Sequence, residues 1–167
     1  MNKKGFTLIE MLIYVAIIGG VVFTFVSFAI SVVNSRNKTY TVSEVQANTR
    51  TALNVMTQKI RSSEAINTST SIFGVDPGYL SLSMSSSTLN PTIISLDQDN
   101  GVLQIKEGVS ASSTITIDKL NITNLQFTNL TDGDRENVRI DMTIEYGTAN
   151  TEFNYSQSVQ TAVTTRY

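Results

Sequence analysis

The stretch KGFTLIEMLIYVAIIGG, residues 4–20, sets one carboxylate, Glu10, at the front of a long apolar run. From Met11 to Val33, 23 consecutive residues carry no formal charge. As an α-helix this run would be about 35 Å long, enough to cross a bilayer core of about 30 Å. Charged side chains are costly inside a membrane. Glu10 therefore either lies near the headgroups, where it stays solvated, or serves a function.

The charges around the run predict its orientation. Lys3 and Lys4 precede it, and basic residues tend to stay on the cytoplasmic side, so we expect the amino end inside and the rest outside. Arg36 and Lys38 follow the run and weaken this bias.

A cleaved secretory signal is the alternative interpretation of this segment, but the apolar region of such a signal is usually only about 7 to 15 residues long.

Composition excludes several classes of protein. The 167 residues suit one globular domain plus a membrane segment, and they include neither cysteine nor histidine. Disulfide frameworks, thiol nucleophiles, Cys/His zinc sites and histidine-based catalysis are therefore excluded. The net charge of −2 argues against nucleic acid as a partner. We predict no enzymatic activity, no metal and no cofactor.

The chain after the apolar run keeps a helical period. Residues that suit a buried face recur three or four apart, with Leu53 beside them: Val42, Val45, Thr49, Ala52, Met56 and Ile60. This spacing predicts one buried stripe on an amphipathic helix. No proline interrupts it, so we expect one helix from about Phe6 to Ser62, roughly 85 Å long.

Beyond about Asn67 the period changes to two. Apolar residues alternate with polar ones, and the turn signal Asp99-Asn100-Gly101 separates two of the runs. This predicts antiparallel strands that expose one face of the sheet to solvent. The apolar stripe of the helix should cover the other face. The predicted fold class is α+β, a long amino-terminal helix packed on an antiparallel β-sheet. The runs lie at 80–84, 103–105, 115–122, 138–146 and 153–159.

The residues Lys3 to Glu10, KKGFTLIE, followed by an apolar helix, resemble the amino terminus of type IV pilins and pseudopilins. In that family a short basic leader ends in glycine, a prepilin peptidase cuts after it, and the new first residue is N-methylated. The motif is specific because it fixes the order of basic, glycine, aromatic, apolar and glutamate positions. Beyond the membrane segment, the chain resembles the pilin fold only in its pattern of helix and strands.

The resemblance implies a role for each residue of the motif. The cut falls between Gly5 and Phe6, Phe6 is methylated, and the leader charges Lys3 and Lys4 are lost. Glu10 is implied to pair with the new amine of a neighbouring subunit, because a charge within a membrane needs a partner.

The sequence also departs from the family. Many major pilins have a glycine at the position of Gly19 and a proline eight residues later, where the helix loosens, but this chain has Ser27 there. The pair Gly19 and Gly20 still weakens the helix by about 1 kcal/mol each relative to alanine. The alternative role for the small residues Ala16 and Gly20 is close packing of helices.

The predicted organisation is a leader at 1–5, a transmembrane or filament-core helix at 6–33, an amphipathic stem helix at 34–66 and a β-rich head at 67–167. The resemblance implies a single-pass cytoplasmic membrane protein that later joins an extracellular or periplasmic filament. Its implied partners are other pilin subunits, prepilin peptidase, and the inner-membrane assembly platform and ATPase.

Residues 50–61 and 155–159 are similar in pattern to wider-headed minor pilins and to J-type minor pseudopilins. We therefore predict a minor subunit that initiates the filament or lies at its tip. The alternatives are a major pilin, a minor pseudopilin of type II secretion, or a plain membrane-anchored adhesin.

Charge is unevenly distributed, with a net +3 from Asn34 to Ile66 and a net −6 from Asn67 onward. The basic side chains of the stem either form a solvated face or contact the acidic head of a neighbouring subunit, a contact that salt would weaken. A third alternative is contact with DNA through Arg36, Lys38 and Arg50. The basic side chains of the stem are Arg36, Lys38, Arg50, Lys59 and Arg61.

Two acidic turns resemble cation sites only superficially. Asp97, Asp99 and Gly101 do not have the spacing of an EF-hand, and Asp-Asn-Gly between strands is an ordinary hairpin turn. The same holds for Asp132 and Asp134.

Overall fold

The computed structural model of the protein describes residues 5–117, 119–133, 135–146 and 154–166. It has one α-helix followed by antiparallel β-sheets, so the predicted α+β class is confirmed. The chain forms two compact units, one ending at Tyr40 and the other running from Thr41. Lys3, Lys4 and Asp134, together with positions 118 and 153 of the predicted runs 115–122 and 153–159, lie outside the described residues.

The helix, α1, spans Leu8–Ser62 without a break. Thr7 lies just before the helix and caps its amino-terminal end, because the carbonyl of Thr7 accepts the N–H groups of Glu10 and Met11 at 3.1 and 3.2 Å. The last turn carries Lys59 and Arg61, whose charges suit the negative end of the helix dipole. The residue after the helix, Ser63, donates its hydroxyl to the carbonyl of Ile60 at 2.7 Å and so satisfies one of the terminal carbonyls.

The buried stripe of α1 lies in the second unit and agrees with the sequence prediction except at its start. Val42 was predicted to be buried, but it is only half-buried, and Thr41 takes the buried position. Around the helix Thr41 lies about 40° from Val45 and Val42 about 60° from it on the other side, so Thr41 points closer to the direction of Val45. Leu53, predicted beside the stripe, is half-buried and packs against the core.

A five-stranded antiparallel sheet follows the helix. Its strands are consecutive in the chain and lie in the order β1-β2-β3-β4-β5. The Asp99-Asn100-Gly101 turn connects β3 and β4, as predicted, and pairs Asp97 with Val102. The strands are β1 (Ala65–Ile66), β2 (Tyr79–Ser83), β3 (Thr92–Asp97), β4 (Val102–Glu107) and β5 (Ser113–Thr114).

A second antiparallel sheet has three long strands in the order β6-β7-β8. The alternation predicted for 138–146 is confirmed in β7, where every second residue from Val138 to Ile144 is buried. In β6 a register shift between Ile122 and Asn124 interrupts the alternation. The strands are β6 (Leu120–Asn129), β7 (Asn137–Tyr146) and β8 (Ser156–Thr164).

One strand prediction is wrong. Ile115 and Ile117 were grouped with Leu120 and Ile122 in a single strand, but both lie between β5 and β6, and Ile117 is 41% exposed. The strand instead continues to Asn129. The bulge after Ile122 explains why this continuation was missed, since an extra residue shifts the alternation of every side chain after it.

Both sheets and the second half of α1 share one hydrophobic core. Met56 and Ile60 of the helix are fully buried together with Leu80 and Leu103 of the first sheet and Phe127 of the second. The Glu136 carboxylate accepts a hydrogen bond from the backbone N–H of Ile66. The two sheets are thereby joined at their polar margin as well as through the core.

Candidate processing and assembly site

The link between Gly5 and Phe6 lies outside regular structure. Both residues are exposed and precede the helix. No heavy atom lies within 4 Å of the position that a Cβ on Gly5 would occupy, so the backbone there is open on that side. Phe6 is 72% exposed, and its ring centroid lies 6.0 Å from that of Tyr14. A protease could reach this peptide bond without unwinding the helix.

Thr7 and Glu10 form the amino-terminal cap of α1. The backbone N–H of Glu10 donates to the Thr7 hydroxyl oxygen at 3.4 Å, and that hydroxyl lies 3.5 Å from a carboxylate oxygen of Glu10. A threonine followed three residues later by glutamate is the sequence signal of a capping box. Thr7 was not predicted as a functional residue, although this signal is visible in the sequence. The negative charge of Glu10 also suits the positive end of the helix dipole.

The first unit exposes its apolar side chains. The large apolar side chains from Phe6 to Val33 are all exposed, between 42% for Val32 and 84% for Leu8. Within the described chain, α1 is the one helix long and apolar enough to cross a membrane. Such a continuous apolar surface calls for lipid or other protein chains as its surroundings.

Small residues open a shallow recess on this helix. Ala16 and Gly20 lie one turn apart in it, and Phe25 and Phe28 border it. The helix is continuous through Gly19 and Gly20, and a Cβ on either would meet nothing within 4 Å. The Thr24 hydroxyl donates to the carbonyl of Gly20 at 2.8 Å, a contact that tends to bend helices.

Residues 1–19 match the family model described as the prokaryotic N-terminal methylation motif. The chain carries a prepilin signal. This motif is the class III signal peptide of type IV pilins and pseudopilins, which are structural subunits that assemble into pilus-like filaments and are generally non-enzymatic. No curated protein and no solved structure matches the chain. The prepilin signal and the apolar helix after it fit a membrane-anchored protein.

The basic residues of the stem have different surroundings. Lys59 forms an ion pair with Glu107 of β4 in the same chain, and both side chains are about 30% exposed. Arg36 lines a small recess with Val33 and Tyr40 in the first unit. The other three, Lys38, Arg50 and Arg61, are exposed. The charge of Lys59 is therefore already paired within its own chain.

The Asp97 carboxylate is held within its own turn. It accepts hydrogen bonds from the Asn100 side chain at 2.9 Å, the Gln104 side chain at 2.7 Å and the backbone N–H of Asp99 at 3.1 Å. The Asn100 hydrogen bond is the main cause that lowers the pKa of Asp97 below its ordinary value. Among the described residues no three acidic side chains come together as metal ligands would.

Proposed function

We propose that the protein is a filament subunit that is made as a membrane-inserted prepilin and cleaved between Gly5 and Phe6. The family model that matches residues 1–19 is the observation that carries this proposal. Prepilin peptidase removes the leader, including Lys3 and Lys4, and Phe6 is then N-methylated. Assembly uses an inner-membrane platform and its ATPase.

The cap on α1 supports the position of the cut. The helix begins after Thr7, two residues beyond Gly5, so the Gly5–Phe6 peptide bond stays in an exposed segment outside regular structure. Glycine lets a protease approach the backbone closely, because no side chain stands in the way. Helical structure that continued through residue 5 would instead bury these peptide groups in its own hydrogen bonds.

Glu10 is the residue that selects the register of assembly. In the single chain its carboxylate has one contact among the described residues, a long one of 3.5 Å to the exposed Thr7 hydroxyl. Cleavage creates a cationic amine on Phe6, four residues away, and in a filament the amine of a neighbouring subunit is available as a partner. A misplaced subunit leaves the carboxylate unpaired in an apolar environment, which is costly.

During assembly the exposed apolar helix leaves the lipid and packs against the same helix of neighbouring subunits. Helix association in a membrane depends on close packing and favours small residues at the contact. The recess at Ala16 and Gly20 therefore offers a place for a large side chain of a neighbouring helix. Loosening of the helix at Gly19 and Gly20 during assembly remains a prediction.

We further propose that the subunit is a minor one that initiates the filament or lies at its tip, in a pilus or a type II secretion system. The patterns of residues 50–61 and 155–159 support this assignment. The protein lies in the cytoplasmic membrane before assembly, with its amino end inside and the β-sheets outside. It is not an enzyme.

The processing step separates a filament subunit from a plain membrane-anchored adhesin. Produced with an active prepilin peptidase, the wild-type chain should lose residues 1–5 and gain one methyl group, measured as the intact mass. Gly5→Ala should keep its leader and stay in the membrane fraction. Gly19→Ala is the matched control and should be cleaved normally. A wild-type chain that keeps residues 1–5 would favour the adhesin.

A further inference from the structure

The outer edge of β8 has unused backbone hydrogen-bonding groups. Tyr146 N–H donates to the carbonyl of Tyr155, and Thr165 N–H donates to the carbonyl of Glu136, both at 3.0 Å. The pairing register between these bonds is unbroken, and antiparallel pairs alternate between bonded and non-bonded. The backbone groups that point away from β7 therefore belong to Ser156, Ser158, Gln160, Ala162 and Thr164. No described residue hydrogen-bonds to them.

The opposite edge of the same sheet is closed. There, the loop around Asp76 covers β6: Gly74 N–H donates to the carbonyl of Phe127 at 2.8 Å, and Gly78 N–H donates to that of Leu125 at 2.6 Å. The Asp76 carboxylate accepts the N–H of Leu125 at 2.8 Å. Within the part of the chain that the structure describes, the fold thus protects one edge of this sheet and leaves the other open.

The open edge lacks the features that normally prevent strand pairing. Proteins usually protect a long edge strand with charged side chains, proline or a bulge. The sequence of β8, SQSVQTAVT, contains no charged residue and no proline, and its pairing with β7 has no register shift. The residues whose backbone groups point away from β7 also have small or uncharged side chains, so an extended chain can approach the backbone.

A groove of about 700 Å³ adjoins the carboxyl end of this strand. One wall is the exposed side of α1, with Asn54, Gln58 and Arg61, and the other is the chain from Thr164 to Arg166. Among the described residues, two arginines and no acidic side chain line it. Arg61 takes part in neither of the ion pairs of the described chain. The groove therefore favours an anionic group.

We propose that the edge of β8 and this groove bind an extended segment of a partner protein that adds to the sheet as a fourth strand next to β8. Antiparallel pairing is slightly more stable than parallel pairing, so the partner strand runs opposite to β8. Its amino-terminal end then lies at the carboxyl end of β8, and an acidic residue there meets Arg61. Main-chain hydrogen bonds hold the strand, and the groove selects for its charge. This site does not depend on the filament role proposed above.

The test uses the full-length protein in detergent and a short synthetic peptide of alternating threonine and valine that begins with aspartates. A matched peptide begins with lysines. We expect the aspartate peptide to bind about tenfold more tightly, and Arg61→Gln to remove most of that difference. Arg50→Gln, at an exposed site on α1 outside the groove, is the control and should retain it.

The backbone contribution is tested at one position. Gln160→Pro removes an outward N–H that β7 does not use, and Gln160→Thr changes the side chain but keeps that N–H. We expect the proline variant to bind the aspartate peptide about tenfold more weakly than the threonine variant.

A second measurement needs no variant. The peptide should slow the hydrogen exchange of the Ser158, Gln160 and Ala162 amides in the wild-type protein.

Three outcomes would overturn the proposal. They are no binding of the aspartate peptide, equal binding to both Gln160 variants with unchanged amide exchange, and self-association of the wild-type chain through β8 with no peptide binding. The last outcome would identify a second copy as the occupant.

Discussion

Asp97 and Gly101 show how single residues fix the β3–β4 turn. Gly101 has a φ of +65°, and a Cβ there would lie 1.8 Å from the side-chain oxygen of Asn121. Only glycine fits both the backbone conformation and this close approach. Asp97 closes the turn from the other side through its hydrogen bonds with Asn100, Gln104 and the backbone of Asp99.

The lowered pKa of Asp97 predicts a pH-dependent contribution to stability. Because the folded protein holds its pKa below the unfolded value, the ionised carboxylate stabilises the fold above the unfolded pKa, near 4, and this contribution is lost as the pH falls through the folded pKa. Asp97→Asn should therefore lower the urea midpoint at pH 7 but not at pH 2. A difference from wild type that is the same at both pH values would contradict this account.

At the scale of elements, periodicity predicted the segments with unbroken patterns. The stripe from Val45 to Ile60 and the strand β7 follow their periods throughout and were found. β6 was only partly found, because its bulge shifts the alternation. The division of the strands into two sheets was not predicted, because strand pairing depends on contacts distant in sequence. The groove beside β8 depends on strand order, so it could not be predicted from the sequence for the same reason.

The core contact of α1 gives a prediction at the same scale. Met56 is fully buried among residues of the core, whereas Leu53 on the flank is half-buried. Met56→Ala should therefore lower the free energy of unfolding by about 2 to 5 kcal/mol. Leu53→Ala should cost clearly less, because part of its surface is already in water. Urea unfolding followed by circular dichroism measures both, and an equal loss would mean that the helix packs differently.

At the scale of the whole molecule, the signal for processing is local and the signal for assembly is spread along the chain. The motif allowed Gly5, Phe6 and Glu10 to be assigned candidate roles from the sequence, because its residue order is fixed. The charges of the stem were less predictable. Lys59 is paired with Glu107 within the chain, which leaves Arg36, Lys38, Arg50 and Arg61 as candidates for contacts between subunits.

Lateral cohesion through those candidates should depend on salt. Exposed ion pairs are screened over about 10 Å at 0.1 M salt and about 3 Å at 1 M. Filaments should therefore release subunits faster in 1 M salt than in 0.1 M salt, and Arg50→Gln should reduce this difference. Sedimentation after dilution measures the release. The same release rate at both concentrations would exclude the stem charges as a source of cohesion.

In the proposed function, Glu10 directs the processed chain into a filament. The most direct measurement is the amount and intact mass of the chain in sheared filaments from cells that produce wild type or Glu10→Gln at equal levels. We expect wild-type chain without residues 1–5 in the filament fraction. We expect Glu10→Gln to be cleaved equally well but to remain in the membrane. Recovery of Glu10→Gln in filaments as abundantly as wild type would exclude this role of Glu10.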